Sequence, residues 1–149
     1  MIIIARTDPH DPQASALLRQ SHALMQSLFP PEENYFLSID ELVAPHIHFF
    51  TARVGDRIVG TGALAIKNGY GEVKSMFVDE SARGTGVADA LMRQIEDQAR
   101  DENLAQLKLE TGNLLYAAHK LYARHGFNIC GPFGDYPAAQ SSIFMEKNL

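Results

Sequence analysis

The stretch Arg83-Gly84-Thr85-Gly86-Val87-Ala88 decides how this chain is understood, because it joins a strand-like run to a helix-like run. The first N–H groups of a helix have no partner within the helix, and together with the helix dipole they suit an anion, phosphate above all. The two glycines let the backbone approach a ligand closely and adopt φ angles that other residues avoid. Arg83 adds a permanent positive charge. The stretch therefore predicts a phosphate-binding loop, with a tight strand-to-helix connection that binds nothing as the alternative.

Composition is that of an ordinary globular protein, and we expect one domain over residues 1–149. The apolar fraction is 46% and the charged fraction is 21%, values typical of soluble domains. The net charge of −5, from 13 basic and 18 acidic residues, argues against nucleic acid as a partner and mildly favours an amine-bearing one. No apolar run is long enough for a signal peptide or a membrane span. We therefore expect a cytoplasmic protein with no membrane partner.

The sequence offers no convincing metal site. Cys130 is the only cysteine, so neither an intrachain disulfide nor a cysteine-based zinc site can form. His46 and His48 would lie on one face of a strand, but no third ligand with suitable spacing follows them. We expect no bound metal.

The hydrophobic pattern predicts an alternation of strands and helices. Gly55-Asp56 and Asn68-Gly69 are hairpin signals, so the middle of the chain should be an antiparallel meander. The helix after the glycine-rich stretch then connects two strands that must be parallel. Strands are predicted at 2–5, 49–54, 58–66, 72–78, 106–110, 127–130 and 142–147, and helices at 12–29, 38–44, 87–100 and 114–125.

Two motifs on this framework resemble the GNAT acetyltransferases. Arg83, Gly86 and Ala88 fill the fixed positions of that family's pyrophosphate signature, Arg/Gln-x-x-Gly-x-Gly/Ala. The stretch from Leu121 to Phe127 matches the family's Leu-Tyr-x-x-x-Gly-Phe, and residues 126–136 are similar to a small bacterial branch of it. The resemblance implies an α/β (α+β) GNAT fold. Its sheet would be mixed and mostly antiparallel, with about seven strands and four helices, splayed between the fourth and fifth strands.

The resemblance also implies a reaction and a cofactor. An N-acetyltransferase of this family transfers the acetyl group of acetyl-CoA to a primary amine by direct attack in a ternary complex. The loop at residues 83–88 would bind the pyrophosphate, and Met76 and Val78 would pair with the pantetheine amides. Backbone N–H groups around Met76 or Phe77 would stabilise the oxyanion. Many relatives have an asparagine where this chain has Leu115, so that contact with the cofactor is either lost here or made by Asn113.

Two side chains are candidates for proton transfer. An alkyl amine with a pKa near about 10.4 is mostly protonated at neutral pH, so the reaction needs a base. Glu72 shares a strand face with Lys74 and Met76 and occupies the place of the general base of some relatives; the alternative is a structural pair with Lys74. Tyr122 corresponds to the family's general acid for the departing thiolate; the alternative is a tyrosine of the core.

The acceptor site is predicted to lie between two loops. Phe29, Glu32, Glu33 and Tyr35 belong to the loop that covers the acceptor in relatives, and Asp135 and Tyr136 belong to the loop before the last strand. The identity of the acceptor stays open among small amines, amino acids, peptide termini and protein lysines. A homodimer formed through the proline-containing stretch 131–137 also stays open.

Two other functions fit parts of the sequence. A dinucleotide-binding βαβ unit is disfavoured because five residues separate the strand from Gly84, and because Asp89 stands where that motif needs its third glycine. A non-catalytic acyl-CoA sensor on the same fold stays open, since fold does not fix function. The presence of both Glu72 and Tyr122 favours catalysis.

Overall fold

The computed structural model describes residues 1–149 and contains one seven-stranded sheet with three α-helices. The strand order is β1-β2-β3-β4-β5-β7-β6, and only β4 and β5 pair in parallel. The predicted mixed, mostly antiparallel sheet is confirmed. No helix has both the length and the apolar character needed to cross a membrane. The elements are β1 (Ile2–Arg6), α1 (Pro12–Leu28), β2 (Ile47–Val54), β3 (Arg57–Ile66), β4 (Gly71–Val78), α2 (Val87–Asp101), β5 (Gln106–Gly112), α3 (Tyr116–Arg124), β6 (Asn128–Cys130) and β7 (Ser142–Asn148).

The fourth predicted helix, at residues 38–44, is wrong in length. Its capping box forms as expected: the Ser38 N–H donates to Glu41 Oε1 at 2.9 Å, and the Glu41 N–H donates to Ser38 Oγ at 3.1 Å. Only the 3₁₀ turn Glu41–Val43 follows. Ala44 is extended, with ψ at 146°, because a residue that precedes proline is disfavoured in the helical region. The proline therefore stops the helix after one turn.

Both faces of the sheet are covered by helices. The stripe predicted on α2 is confirmed, since Val87, Leu91, Ile95 and Ala99 are all buried against the strands. On the opposite face, α1 packs through Ala14 and Leu18 in a smaller cluster. Burial of these two stripes fixes the helices on either side of the central strands.

The sheet opens between β4 and β5, as predicted. The two strands pair only at Gly71–Leu107 and Glu72–Lys108 and then diverge. Beyond Glu72, peptide groups of β4 that face β5 have no strand partner, whereas an ordinary central strand is paired on both sides. The 3₁₀ turn Glu80–Ala82 connects the end of β4 to the glycine-rich loop that precedes α2.

Candidate functional site

A cavity of about 110 Å³ lies where β4 and β5 diverge. Residues of α1, β4, β5 and α3 line it together with the segment 29–36. Five of the residues predicted for the site are among them: Phe29, Glu33, Tyr35, Met76 and Tyr122. Glu32 and Asp135 are exposed and lie outside this lining.

A bulge in β4 shapes the wall of the cavity. Thr61 pairs with Phe77 and Ala63 with Lys74, so Gly62 alone stands opposite two residues of β4. Ser75 adopts a left-handed conformation, with φ at 57°, which is unusual for a residue with a side chain. The hydroxyl of Thr61, a fully buried residue, donates to the carbonyl oxygen of Ser75 at 2.7 Å. A bulge of this kind redirects the neighbouring backbone groups, and Ser75 and Met76 at the bulge line the cavity.

The glycine-rich loop has the geometry of an anion site. Gly84 and Gly86 have φ of 78° and 90°, and no atom lies within 4 Å of where a Cβ would stand on either. Gly86 is the N-cap of α2, and no side chain caps the first N–H groups of this helix. They are therefore available to a phosphate.

The loop residues beside these glycines are held by local contacts. Arg83 donates through Nε to the carbonyl oxygen of Val78 at 3.2 Å and lies over the ring of Phe77. Thr85 donates to the carbonyl oxygen of Ala82. The positive charge of Arg83 thus stays fixed between the end of β4 and the start of α2, and the residues present fit a pyrophosphate.

Glu72 lies in a hydrogen-bonded network and is not part of the cavity lining. Only 4% of this residue is exposed. The hydroxyl of Tyr136 donates to its Oε2, and the ammonium of Lys74 lies 3.5 Å from the same atom. The ion pair with Lys74, which the sequence offers as the alternative to a general-base role for Glu72, is present.

A second carboxylate, Glu110 of β5, does line the cavity. Ser142 Oγ donates to its Oε2 at 2.8 Å. Burial raises the pKa of this carboxyl group, and the charge of Glu72 acts in the same direction, against the hydrogen bond from Ser142 and the charge of Lys74. Sequence reasoning missed Glu110 as a site residue, because the alternation of β5 indicates only that it lies on the less buried face. That face becomes a cavity wall only because β5 diverges from β4.

Tyr122 of α3 is buried, with 6% exposure, and lines the cavity. Its ring contacts Phe127 edge to face, with the ring centroids 5.8 Å apart. Burial raises the pKa of its hydroxyl, and the negative charge of Glu110 raises it further. The group is therefore protonated over the whole physiological range and can act as a donor.

Three residues tie together the two loops predicted to cover the acceptor. The ammonium of Lys74 donates to the carbonyl oxygen of Tyr35 at 3.1 Å and to the hydroxyl of Tyr136 at 2.8 Å. The rings of Tyr35 and Tyr136 also contact each other edge to face, with centroids 5.4 Å apart. We call Tyr35, Lys74 and Tyr136 the tyrosine bridge. Burial raises the pKa of Tyr136, and the charge of Glu72 raises it further, so its hydroxyl stays protonated.

Two asparagines have positions relative to the cavity that the sequence did not indicate. Asn113, predicted to contact the cofactor, is outside the cavity lining, and its side-chain amide points to the carbonyl oxygen of Gln140 at 3.5 Å. Asn34, which the sequence did not single out, lines the cavity and donates to the carbonyl oxygens of Phe29 and Pro30. Because both partners are acceptors, the orientation of this amide is fixed. Its Oδ1 is buried without any partner.

Comparisons with known proteins agree on one family. The model of the acetyltransferase (GNAT) family matches residues 15–127. The IAA acetyltransferase of Azospirillum brasilense is 41% identical, over 99% of this chain and 98% of its own length. Among solved structures, a candidate acyl-CoA N-acyltransferase from Klebsiella pneumoniae superposes with a TM-score of 0.84 at 29% identity, covering 100% of this chain and 98% of that one. The PaiA N-acetyltransferase of Thermoplasma acidophilum, solved in complex with coenzyme A, has the same fold, with a TM-score of 0.79 at 16% identity and coverage of 100% and 99%.

Proposed function

Since this chain belongs to the acetyltransferase (GNAT) family, we propose that it transfers the acetyl group of acetyl-CoA to a primary amine. The observation that carries the proposal is the position of the uncapped, glycine-rich start of α2 at the end of the diverging strand β4. One element offers N–H groups to a diphosphate, and the other offers unpaired peptide groups to an extended, amide-bearing arm. Coenzyme A has both parts in one molecule.

The backbone of the glycine-rich loop would hold the pyrophosphate. Arg83 contributes its fixed charge, and residues 84–88 contribute N–H groups, since Gly84 and Gly86 leave room for close approach. Met76 and Val78, whose peptide groups face the same edge of the strand, would pair with the pantetheine amides along the open edge of β4, and Phe77 lies between them. This arrangement delivers the thioester to the cavity lined by Glu110 and Tyr122.

The chemical step would be direct attack of the amine nitrogen on the thioester carbon. Positioning both reactants in one cavity supplies much of the rate enhancement. The backbone N–H groups next to the Ser75 bulge would donate hydrogen bonds to the oxyanion as it develops. As the C–S bond breaks, the hydroxyl of Tyr122 would give a proton to the departing thiolate.

As the base that takes the proton from the amine, we propose Glu110 ahead of Glu72. Glu110 lines the cavity, and burial raises its pKa toward the range in which a base works best. Glu72 is enclosed by Tyr136 and Lys74, so it could act only through that network. Substituting each carboxylate by its amide tests the two assignments side by side.

A non-catalytic acyl-CoA sensor is the second candidate, and the fold by itself supports it equally well. The cavity favours the enzyme, because a sensor has no use for a buried tyrosine donor beside a buried carboxylate of raised pKa.

Calorimetry with coenzyme A, followed by detection of free thiol from acetyl-CoA and a panel of amines, tests the proposal. We expect Gly86→Val to abolish coenzyme A binding, because its side chain would project where phosphate must approach and its φ of 90° strains any residue other than glycine. Gly55→Val is the matched control, since Gly55 also has a positive φ, of 60°, with free space around it, but lies in the β2–β3 turn. Equal loss of binding in both variants, or no binding by the native protein, would refute the proposed cofactor site. Binding without thiol release from any amine would favour the sensor.

A further inference from the structure

We propose that the acceptor is a small amine without a carboxylate, and that polypeptide chains are excluded from the site. This inference rests on the proposed acetyl transfer and adds the chemical class of the acceptor. Three observations support it: the closure of the two covering loops, the distribution of charge on the cavity wall, and the size of the cavity.

The tyrosine bridge closes the route by which a polypeptide would cross the site. Tyr35 lies in the segment after α1, and Tyr136 lies in the loop before β7. Their rings contact each other, and Lys74 joins both to the floor of β4 through hydrogen bonds of 3.1 and 2.8 Å. A polypeptide acceptor needs an open groove along which its chain leaves the reacting amine, and here the two banks of that groove are in contact.

The cavity wall carries negative charge and hydrogen-bond acceptors but no free cation. Glu33 and Glu110 line it, and Asn34 Oδ1 is a buried acceptor without a partner. Lys74 is the only cationic residue of the lining. Its ammonium donates to Tyr35 and Tyr136 and forms an ion pair with Glu72 at 3.5 Å, so its charge is already paired. An ammonium ion is attracted to such a wall, whereas a carboxylate beside the amine would meet negative charge with no partner.

The volume and the apolar part of the wall limit the acceptor further. The cavity measures about 110 Å³, against about 300–1,000 Å³ for pockets that hold drug-sized ligands. Phe29, Phe36 and Met25 supply apolar surface on the acceptor side. A compact alkylamine or arylalkylamine matches this combination of size, charge and apolar surface.

Three probes that share one skeleton test the inference: 2-phenylethylamine, phenylalanine, which adds a carboxylate, and a tetrapeptide amide with phenylalanine at its free N-terminus. With acetyl-CoA, we expect kcat/KM for 2-phenylethylamine to exceed those for phenylalanine and for the peptide by about tenfold or more, since a buried unpaired group or a blocked path costs at least that factor. Equal or better use of phenylalanine or of the peptide overturns the inference and leaves acetyl transfer intact. Coenzyme A binding without turnover of any amine refutes the proposed function, and this inference falls with it.

Variants of the bridge and of the wall separate the causes. We expect Tyr136→Ala to raise the ratio of peptide to 2-phenylethylamine turnover by about tenfold, since it removes both the ring contact and the tie to Lys74. Tyr136→Phe, which keeps the ring, should raise the ratio less and still reports if the alanine variant fails to fold. Ile129→Ala, at a side chain 77% exposed on β6, is the control. A folded Tyr136 variant with the native ratio overturns the role of the bridge.

Two neighbouring glutamates, one on the cavity wall and one outside it, test the role of charge. Glu33 and Glu32 belong to the same 3₁₀ turn, but only Glu33 lines the cavity. We expect Glu33→Gln to reduce the preference for 2-phenylethylamine over phenylalanine by about threefold, and Glu32→Gln to leave it unchanged. The same effect from both variants, or from neither, overturns the proposed role of charge on the wall.

Discussion

The hydrogen bond from Thr61 to Ser75 offers the most direct test of the β4 bulge. Ser75 is held at a φ of 57°, and a left-handed conformation costs an L-residue about 1–2 kcal/mol. The hydroxyl of Thr61, which is 0% exposed, donates to the Ser75 carbonyl at 2.7 Å. Thr61→Val keeps the shape of the side chain and removes this donor. The donor side chain is fully buried, whereas Ser75 is partly exposed at the cavity wall.

We expect Thr61→Val to lower the free energy of unfolding by about 0.5–1.5 kcal/mol, the net contribution of one intramolecular hydrogen bond. For a chain of this size, about 2–4 °C of Tm is lost per kcal/mol, so Tm should fall by about 1–6 °C. In the proposed mechanism the bulge positions the oxyanion donors, so kcat should fall by about tenfold, a fraction of the loss seen when such a donor is removed outright. Urea unfolding and steady-state kinetics measure the two effects.

Thr61→Ser is the control, because it keeps the hydroxyl and removes only a methyl group, worth about 0.8 kcal/mol. It should retain most of the native kcat. If the valine variant unfolds within about 0.5 kcal/mol of the native protein, or if both variants lose the same kcat, the hydroxyl does not hold the bulge and our account of β4 is incorrect.

Three further substitutions address the cavity. Tyr122→Phe should lower kcat by about 10–100-fold and leave the Kd for coenzyme A unchanged. The loss of kcat is only partial because the thiol, with a pKa near about 8.5, can leave without an acid. Calorimetry measures the Kd and steady-state kinetics measure kcat, and a weakened Kd would contradict the assignment. Glu110→Gln should remove the acid limb of the pH–rate profile. Because the pKa of Glu110 is raised, the native enzyme should lose activity as pH falls through a value above that of an ordinary glutamate. In the native enzyme this limb should stay at the same pH when amines of different basicity are compared. Gly112→Ala would bring a Cβ to 2.3 Å from Phe29 Cζ, so the ring must move. We expect a loss of about 1–3 kcal/mol in unfolding free energy and a higher KM for the amine. An unchanged KM would show that Phe29 does not shape the acceptor site.

Local features of this protein were readable from its sequence because they depend on neighbouring residues. The buried stripe of α2 follows from the 3.6-residue period, and the hairpin at Gly55-Asp56 follows from turn chemistry. The open glycine-rich loop depends on two glycines with positive φ immediately before a helix. The Ser38–Glu41 capping box was also correct as a local motif. Only its continuation into a helix was wrong, because the next proline ended it.

The arrangement of the cavity was decided by tertiary structure. Lys74 meets Tyr35 and Tyr136 across 39 and 62 residues of sequence, and no periodicity connects positions so far apart. Glu110 is an ordinary residue of an alternating strand until β4 and β5 diverge and leave its face as a wall beside Tyr122. Sequence determined which elements form and where the uncapped, glycine-rich start of a helix lies, because both are local properties. The divergence of two strands and the contact between two distant loops determined which carboxylate faces the cavity, because burial and charge depend on everything that packs around a residue.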